Sequence, residues 1–327
     1  MNNEKNTIGD LEALKLLYNF GKNYKFKINL SLGFIFLSSI FSIFSSKFLG
    51  SFLEKGLAIK NMKNIIFYGC CILISEGFSL YFIWQGRKKL AQTASDVIFS
   101  IREKLFLKLN ALPFSYFDNN PQGMIVTRIT HEVEGIEEFF TSSLGNFIAA
   151  FFMTTIALIA MLISDFYLGL IMFMTTMPAI YLLYKSKVYL RKSNRKTSGF
   201  SSAINSKLSE YVNGIELIRS KSLENWTDKN FKKVVAQYKN AQLKGNTLFS
   251  WTMPLVSFLA SLPLFGLVWF GGKSVLKGTM KLGMFVSFVR YYERYLNPLM
   301  LLAREVHLVQ QAFTSTERIY NFLNEKN

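Results

Sequence analysis

Four ionisable residues stand where a chain this apolar has least use for them. Glu76 lies in the middle of CCILISEGFSLYF, and Arg290, Glu293 and Arg294 lie about two to three turns into the segment LGMFVSFVRYYERYLNP. Charged groups at membrane depth are costly against lipid, so they must face a water-accessible cavity or one another. The first arrangement makes them contacts for a transported guest. The second makes Glu76 an ion-pair partner that ties helices together, or puts residues 290–294 nearer the membrane surface. Tyr292, with Tyr291 and Tyr295, adds amphipathic surface at the same level, which suits an amphiphilic, peptide-like or lipid-like guest.

Other patterns with chemical potential fail on spacing. Gly266, Gly271, Gly272, Lys273 and Ser274 nearly spell a phosphate-binding loop, but Lys does not follow the second Gly at the required distance and no strand precedes it. Gly271 and Gly272 read instead as the turn out of a membrane span. His131 and His307 are the only histidines, and HEVEG at 131 lacks the second His of a zinc-protease helix. Cys70 and Cys71 are adjacent in an apolar run, so they make neither a disulfide framework nor a spaced metal site. The sequence therefore offers no catalytic set and no metal ligands.

Half of the 327 residues are apolar, Phe alone contributes 32, and only 18% are charged, which points to a membrane protein. A formal net charge of +17 would suggest nucleic acid in a soluble chain. Its distribution argues otherwise: the basic residues cluster beside apolar runs of membrane length, as in loops on the cytoplasmic side. The N-terminus carries Glu4, Asp10 and Glu12 and does not read as a signal peptide.

The elements that must position the charged residues are helices. Residues 11–20 are apolar on one side and precede Lys22, Lys25 and Lys27, a pattern expected of an interfacial helix. A first span is expected at about 28–46 and a second from residue 65 to about 84. Beyond it Leu90, Ala94, Val97, Ile98, Ile101, Leu105, Leu109 and Leu112 recur at three- and four-residue steps, so the helix continues into water. At about 1.5 Å per residue, residues 65–112 span about 70 Å against a hydrocarbon core of about 30 Å. Residues 139–184 are too long for one apolar span and break at Ser164 and Asp165, while Pro178 should kink the returning helix. Lys185, Lys187, Arg191, Lys192, Arg195 and Lys196 follow, which places this second stalk on the cytoplasmic side. A fifth span is expected at about 249–270 and a sixth from residue 282 through Pro298 to residue 323.

Residues 113–138, PFSYFDNNPQGMIVTRITHEVEGIEE, are too polar to cross a bilayer, and Pro121 and Gly123 punctuate them into a helical elbow. One helix should end near Asp118 and another begin after Gly123. Phe114, Tyr116 and Phe117 crowd the tip, either as a docking surface or as aromatics packing helix on helix. Arg128 and Glu132 are four residues apart and can pair on one helix face, contributing only tenths of a kcal/mol if exposed.

PQGMIVTRITHEV, with Pro121, Gly123, Arg128 and Glu132, resembles the first cytoplasmic elbow of type I ABC exporter transmembrane domains, with Glu132 where that family usually has Asp. LSEYVNGIELI at 208–218 resembles the second elbow, and LGMFVSFVRYYERYLNPLMLL with QQAFTSTERIYNFL at 282–323 resembles the sixth span and its exit. The resemblance implies an all-α membrane protein of six transmembrane helices extended into long cytoplasmic stalks with two coupling elbows. It assigns residues 1–27 to a cytoplasmic N-terminus with the interfacial helix, 28–323 to the six-span domain and 324–327 to a tail. No LSGGQ-like signature occurs, so the expected chain has no nucleotide-binding domain. ATP and Mg2+ would bind a partner domain, and a second transmembrane domain, identical or not, would complete a dimer in the lipid bilayer, with no nucleic acid involved. Phe114, Tyr116, Phe117, Asp118, Gly123, Arg128 and Glu132 would then couple the first elbow to that partner, and Glu210, Gly214 and Ile215 the second. Glu76, Arg290, Tyr292, Glu293 and Arg294 would line the substrate path. The resemblance further implies a bacterial plasma (inner) membrane with elbows and both termini in the cytoplasm. The alternative from another class is an ATP-independent binding, regulatory or degenerate structural partner that keeps the exporter fold.

Overall fold

The computed structural model describes residues 10–119, 125–126 and 130–324, and among these it is helical with no strand. The chain divides into two compact units, residues 1–170 with 267–327, and residues 171–266.

The first unit begins with α1 (Asp10–Gly21), α2 (Lys25–Ser51) and α3 (Met62–Ala111). It continues through α4 (Phe114–Asn119), α5 (His131–Glu138) and α6 (Leu144–Ser164). After the excursion into the second unit it closes with α10 (Gly272–Leu276) and α11 (Leu282–Leu323). α2 packs on α3 and α6, and α11 packs on α6, α2 and α5. Among the described residues five helical stretches are long and apolar enough to cross a membrane: Lys15–Leu57, Met62–Ala111, His131–Ser164, Phe166–Ser186 and Glu224–Leu276. α11 is the sixth long helix, and it carries Arg290, Glu293 and Arg294.

α2 outruns its expected end at residue 46, passing through a π-helical turn at Phe52–Leu57. The Asn61 side chain then caps α3 by accepting from the Lys63 and Asn64 amides. The buried face of α2 is built from Ser31, Ile35, Ser38, Ser39, Ser42, Ser45, Ser46 and Gly50. Lipid gives helices no hydrophobic reason to associate, so close approach through small residues and interhelical hydrogen bonds must supply the attraction. Ser38 Oγ donates to the Ser79 carbonyl of α3 at 2.9 Å and Ser79 Oγ donates back to the Ser38 carbonyl at 3.1 Å. At the far end of α2 the spacing closes further. A Cβ on Gly50 would stand 2.4 Å from the Gly283 carbonyl oxygen, and one on Gly283 would stand 2.1 Å from that of Gly50. Ser287 Oγ donates to the Ser46 carbonyl beside this crossing, and Lys281 pairs with Glu54 at 2.6 Å.

The opposite end of the unit is a packed stalk. Leu90, Ala94, Val97, Ile98, Ile101, Leu105 and Leu112 are buried as their periodicity predicts, and all but Leu90 belong to one core cluster. Leu17 of α1, Val133 and Ile136 of α5, Phe139, Phe140, and Ala312, Ile319 and Phe322 of α11 complete that core. α3 stops at Ala111 because Pro113 drives Leu112 into the extended region (φ −78°, ψ 142°), and the chain re-enters a helix only for the six residues of α4.

Asp165 breaks the expected hairpin between α6 and α7 (Phe166–Asn213), its carboxylate accepting from the Leu168 amide at 3.0 Å. The expected turn at Gly271 and Gly272 is a correction: the chain stays helical through both and turns at Gly278, which holds φ at +72°. Gly271 serves close packing, since a Cβ there would lie 2.9 Å from the Phe285 ring.

The second unit holds the rest of α7, α8 (Ile215–Ser220) and α9 (Glu224–Gly266). Pro178, Pro254 and Pro263 lie inside these helices without ending them. Within this unit α7 and α9 meet through Tyr211 against Phe231, rings 6.4 Å apart, and through Gly245, where a Cβ would lie 2.8 Å from Ser193 Oγ.

Candidate functional site: a charged cavity and two elbows

Glu76 joins three helices. Arg294 of α11 donates to its Oε1 at 2.5 Å, and Ser45 of α2 donates to the same oxygen at 2.9 Å. The pairing expected as one of two readings is thus present, and it stands next to a cavity. Arg290 donates to Glu293 Oε2 at 3.0 Å one helical turn away. Arg290, Glu293 and Arg294 line an open cavity of about 340 Å³ together with Asn297, Pro298 and Met153. The Nε groups of both arginines are shielded from solvent without an acceptor. Tyr292 sits elsewhere: with Tyr291 and Tyr295 it is buried inside the bundle at 2% exposure or less, and it does not line this cavity.

A second polar chain escaped the sequence reading. Arg87 of α3 donates to Asn146 Oδ1 of α6 at 3.2 Å, and Asn146 Nδ2 donates to Glu305 Oε1 of α11 at 3.2 Å. Glu305 is buried and its other oxygen has no partner. The only signal was a charge in the run LMLLAREV.

At the first elbow Phe114 is 89% exposed. Tyr116 and Phe117 are half-buried and pack on the stalk core, Tyr116 meeting Phe322 of α11 edge-on with ring centroids 6.2 Å apart. Asp118 lies within α4, whereas Gly123 and Arg128 lie outside the described residues. Glu132 is buried and accepts from Arg318 of α11, a partner far away in sequence.

At the second elbow α7 ends at Asn213, Gly214 takes a non-helical conformation (φ −98°, ψ 17°) and α8 begins at Ile215. Lys207 pairs with Glu210 at 2.9 Å, and this hydrogen bond holds the ammonium above its ordinary pKa. Ile215 is exposed, and so are Val212, Leu217 and Trp226, which the sequence reading did not single out. The signal for Val212 and Leu217 was the apolar content of the VNGIELI stretch between two polar helices.

The Gly266–Ser274 stretch closes into a π-helical turn and a short helix with no strand before it, so its amides do not form a cradle for phosphate. No group of three or more His, Cys, Asp or Glu residues is placed to hold a metal ion among the described residues.

Comparison with known proteins bears on the whole helical frame. The provisionally named ABC transporter ATP-binding protein exp8 of Streptococcus pneumoniae is 27% identical over 96% of this chain and 54% of its own length. The multidrug resistance-like ATP-binding protein MdlB of Buchnera aphidicola is 26% identical over 98% of this chain and 55% of its own. YheH of Bacillus subtilis, provisionally named a multidrug resistance ABC transporter ATP-binding/permease protein, is 28% identical over 76% of this chain and 38% of its own. The chain thus spans about half the length, or less, of these curated relatives. The family model for the ABC transporter transmembrane region matches residues 28–299, and with most of its length inside that match the chain belongs to this family of membrane domains.

Proposed function

We propose that this transmembrane domain forms half of an ABC exporter's translocation path and couples it to ATP hydrolysis on nucleotide-binding domains outside these residues. Arg290, Glu293 and Arg294 opening into one cavity in the membrane helices, with Glu76 behind them, is the observation that carries the reading. Ionised groups are kept at such depth where they meet each other or a guest, and here they pair with each other at the wall of a cavity open to a guest. A second transmembrane domain completes the path, ATP and Mg2+ bind the nucleotide-binding partner, and the basic stalks and both termini face the cytoplasm of a bacterial plasma membrane. The exposed second elbow, with Glu210, Gly214 and Ile215, and Phe114 at the first are the surfaces on which that partner docks; Asp118, Gly123 and Arg128 belong to the same contact. Tyr116, Phe117 and Glu132 act behind it, by fixing the first elbow to the stalk.

The test compares amphiphile-stimulated with basal ATPase in the complex reconstituted with its nucleotide-binding domains. Glu76→Gln and Arg290→Gln should each lower the stimulated-to-basal ratio. An unchanged ratio in both variants moves the path away from this cavity.

A further inference from the structure

The chemistry of the cavity narrows the class of guest. Its wall presents guanidinium donors from Arg290 and Arg294 and a carboxylate from Glu293, with Asn297 as a neutral donor and acceptor. Counting Glu76 on Arg294, the cluster holds two fixed cations and two carboxylates, so its formal charge sums to zero. Arginine stays protonated in any such setting. A guest of net charge adds an uncompensated, partly screened charge to a site whose own charges already balance, whichever its sign. A neutral apolar guest leaves the guanidinium, carboxylate and amide groups of the wall without polar partners on its side, which is also unfavourable. A guest carrying both signs meets each with its opposite.

We propose that the cavity takes a small amphiphile with a zwitterionic head group, its anionic moiety on the Arg290 and Arg294 guanidinium groups and its cationic moiety on Glu293. The inference rests on the reading of this cavity as part of the translocation path. At about 340 Å³ the site holds a head group and the first carbons of a chain, with Met153 and Pro298 supplying apolar contact, and its open mouth leaves the remaining hydrocarbon outside. Arg290 and Arg294 share a helix face, and Glu293 stands beside them on the same turn. The two moieties of one head group therefore bind along one helix rather than across a wide gap.

The experiment measures equilibrium binding of three radiolabelled probes of equal acyl or alkyl length to the full chain in an uncharged maltoside detergent. Lysophosphatidylcholine is the zwitterion, lysophosphatidic acid the anion and an alkyltrimethylammonium the cation. The zwitterion should bind at least about tenfold more tightly than either singly charged probe, the ratio expected for one uncompensated partly screened charge. Glu293→Gln should turn the preference towards the anion and Arg290→Gln towards the cation. The double exchange Arg290→Glu with Glu293→Arg, neutral again, should recover the zwitterion. Arg290 and Glu293 are both more than 40% exposed, so these substitutions leave the packed core intact, and melting of each variant checks this. Equal binding of all three probes, tighter binding of a charged probe, or a preference that none of the variants changes overturns the proposal. A preference confirmed in binding, alongside an unaltered stimulated-to-basal ATPase ratio, sinks the translocation path and leaves a head-group site. The converse result sinks the zwitterion alone.

Discussion

The two elbows handle their apolar side chains in opposite ways. At the first, Tyr116 and Phe117 fold back against Phe322 and the stalk core, and the acidic residue that follows, Glu132, is buried under Arg318. At the second, Ile215 and Leu217 remain exposed on a short helix flanked by Gly214 and a turn at Lys221 and Ser222, as do Val212 before it and Trp226 after it. Large apolar groups at a bend therefore carry no single meaning. Those with an internal partner determine stability, and those without one are open to contact from outside.

That contrast yields three measurements of decreasing size. Phe322→Ala removes a fully buried ring from the first stalk and should cost about 3–5 kcal/mol of stability, lowering the melting temperature of the purified chain well below that of Trp226→Ala. Equal melting of the two variants would erase the distinction between the elbows. Arg318→Ala leaves the Glu132 carboxylate buried without its cation and should cost about 1–3 kcal/mol, most of which Glu132→Gln in the same chain should recover. Additive losses in the double variant would show that the pair contributes nothing as a pair. Ile215→Ser with Leu217→Ser should leave melting unchanged while weakening co-purification of the nucleotide-binding domain about tenfold, a modest contribution for exposed anchors. Unweakened co-purification would return the docking role to Phe114 and the first elbow.

Much of this frame was legible from residue spacing. The stalk core from Ala94 to Leu112 follows the three- and four-residue steps because one side of that helix is wet, which makes the contrast visible. The break at Asp165 was equally plain, while the bend at Gly214 came from the resemblance of LSEYVNGIELI to an elbow. What stayed hidden depends on chemistry that periodicity does not weigh. The serines of α2 read as polar, yet in lipid their small size and hydroxyl groups make them the packing face. The Gly271–Gly272 doublet resembled a turn because a glycine tolerated for flexibility and one required by a nearby ring look alike. Partners distant in sequence were hidden for a simpler reason. Glu132 offered a neighbour four residues away, whereas Arg318 of α11, which donates to it, lies 186 residues along the chain. Glu76 kept two readings open until Arg294 and Ser45 were seen to share one of its oxygens beside a cavity.

The crossing of Gly50 over Gly283 has a mechanical meaning. Backbone touches backbone there, so the two helices can come no closer, and the Ser287 hydroxyl and the Glu54 side chain fill the notches beside the two glycines. The crossing acts as a stop. The Ser287 hydroxyl on the Ser46 carbonyl and the Lys281–Glu54 pair hold against separation, the lysine of that pair exposed and its glutamate half-buried. This end of the bundle thus has a hard limit on closing.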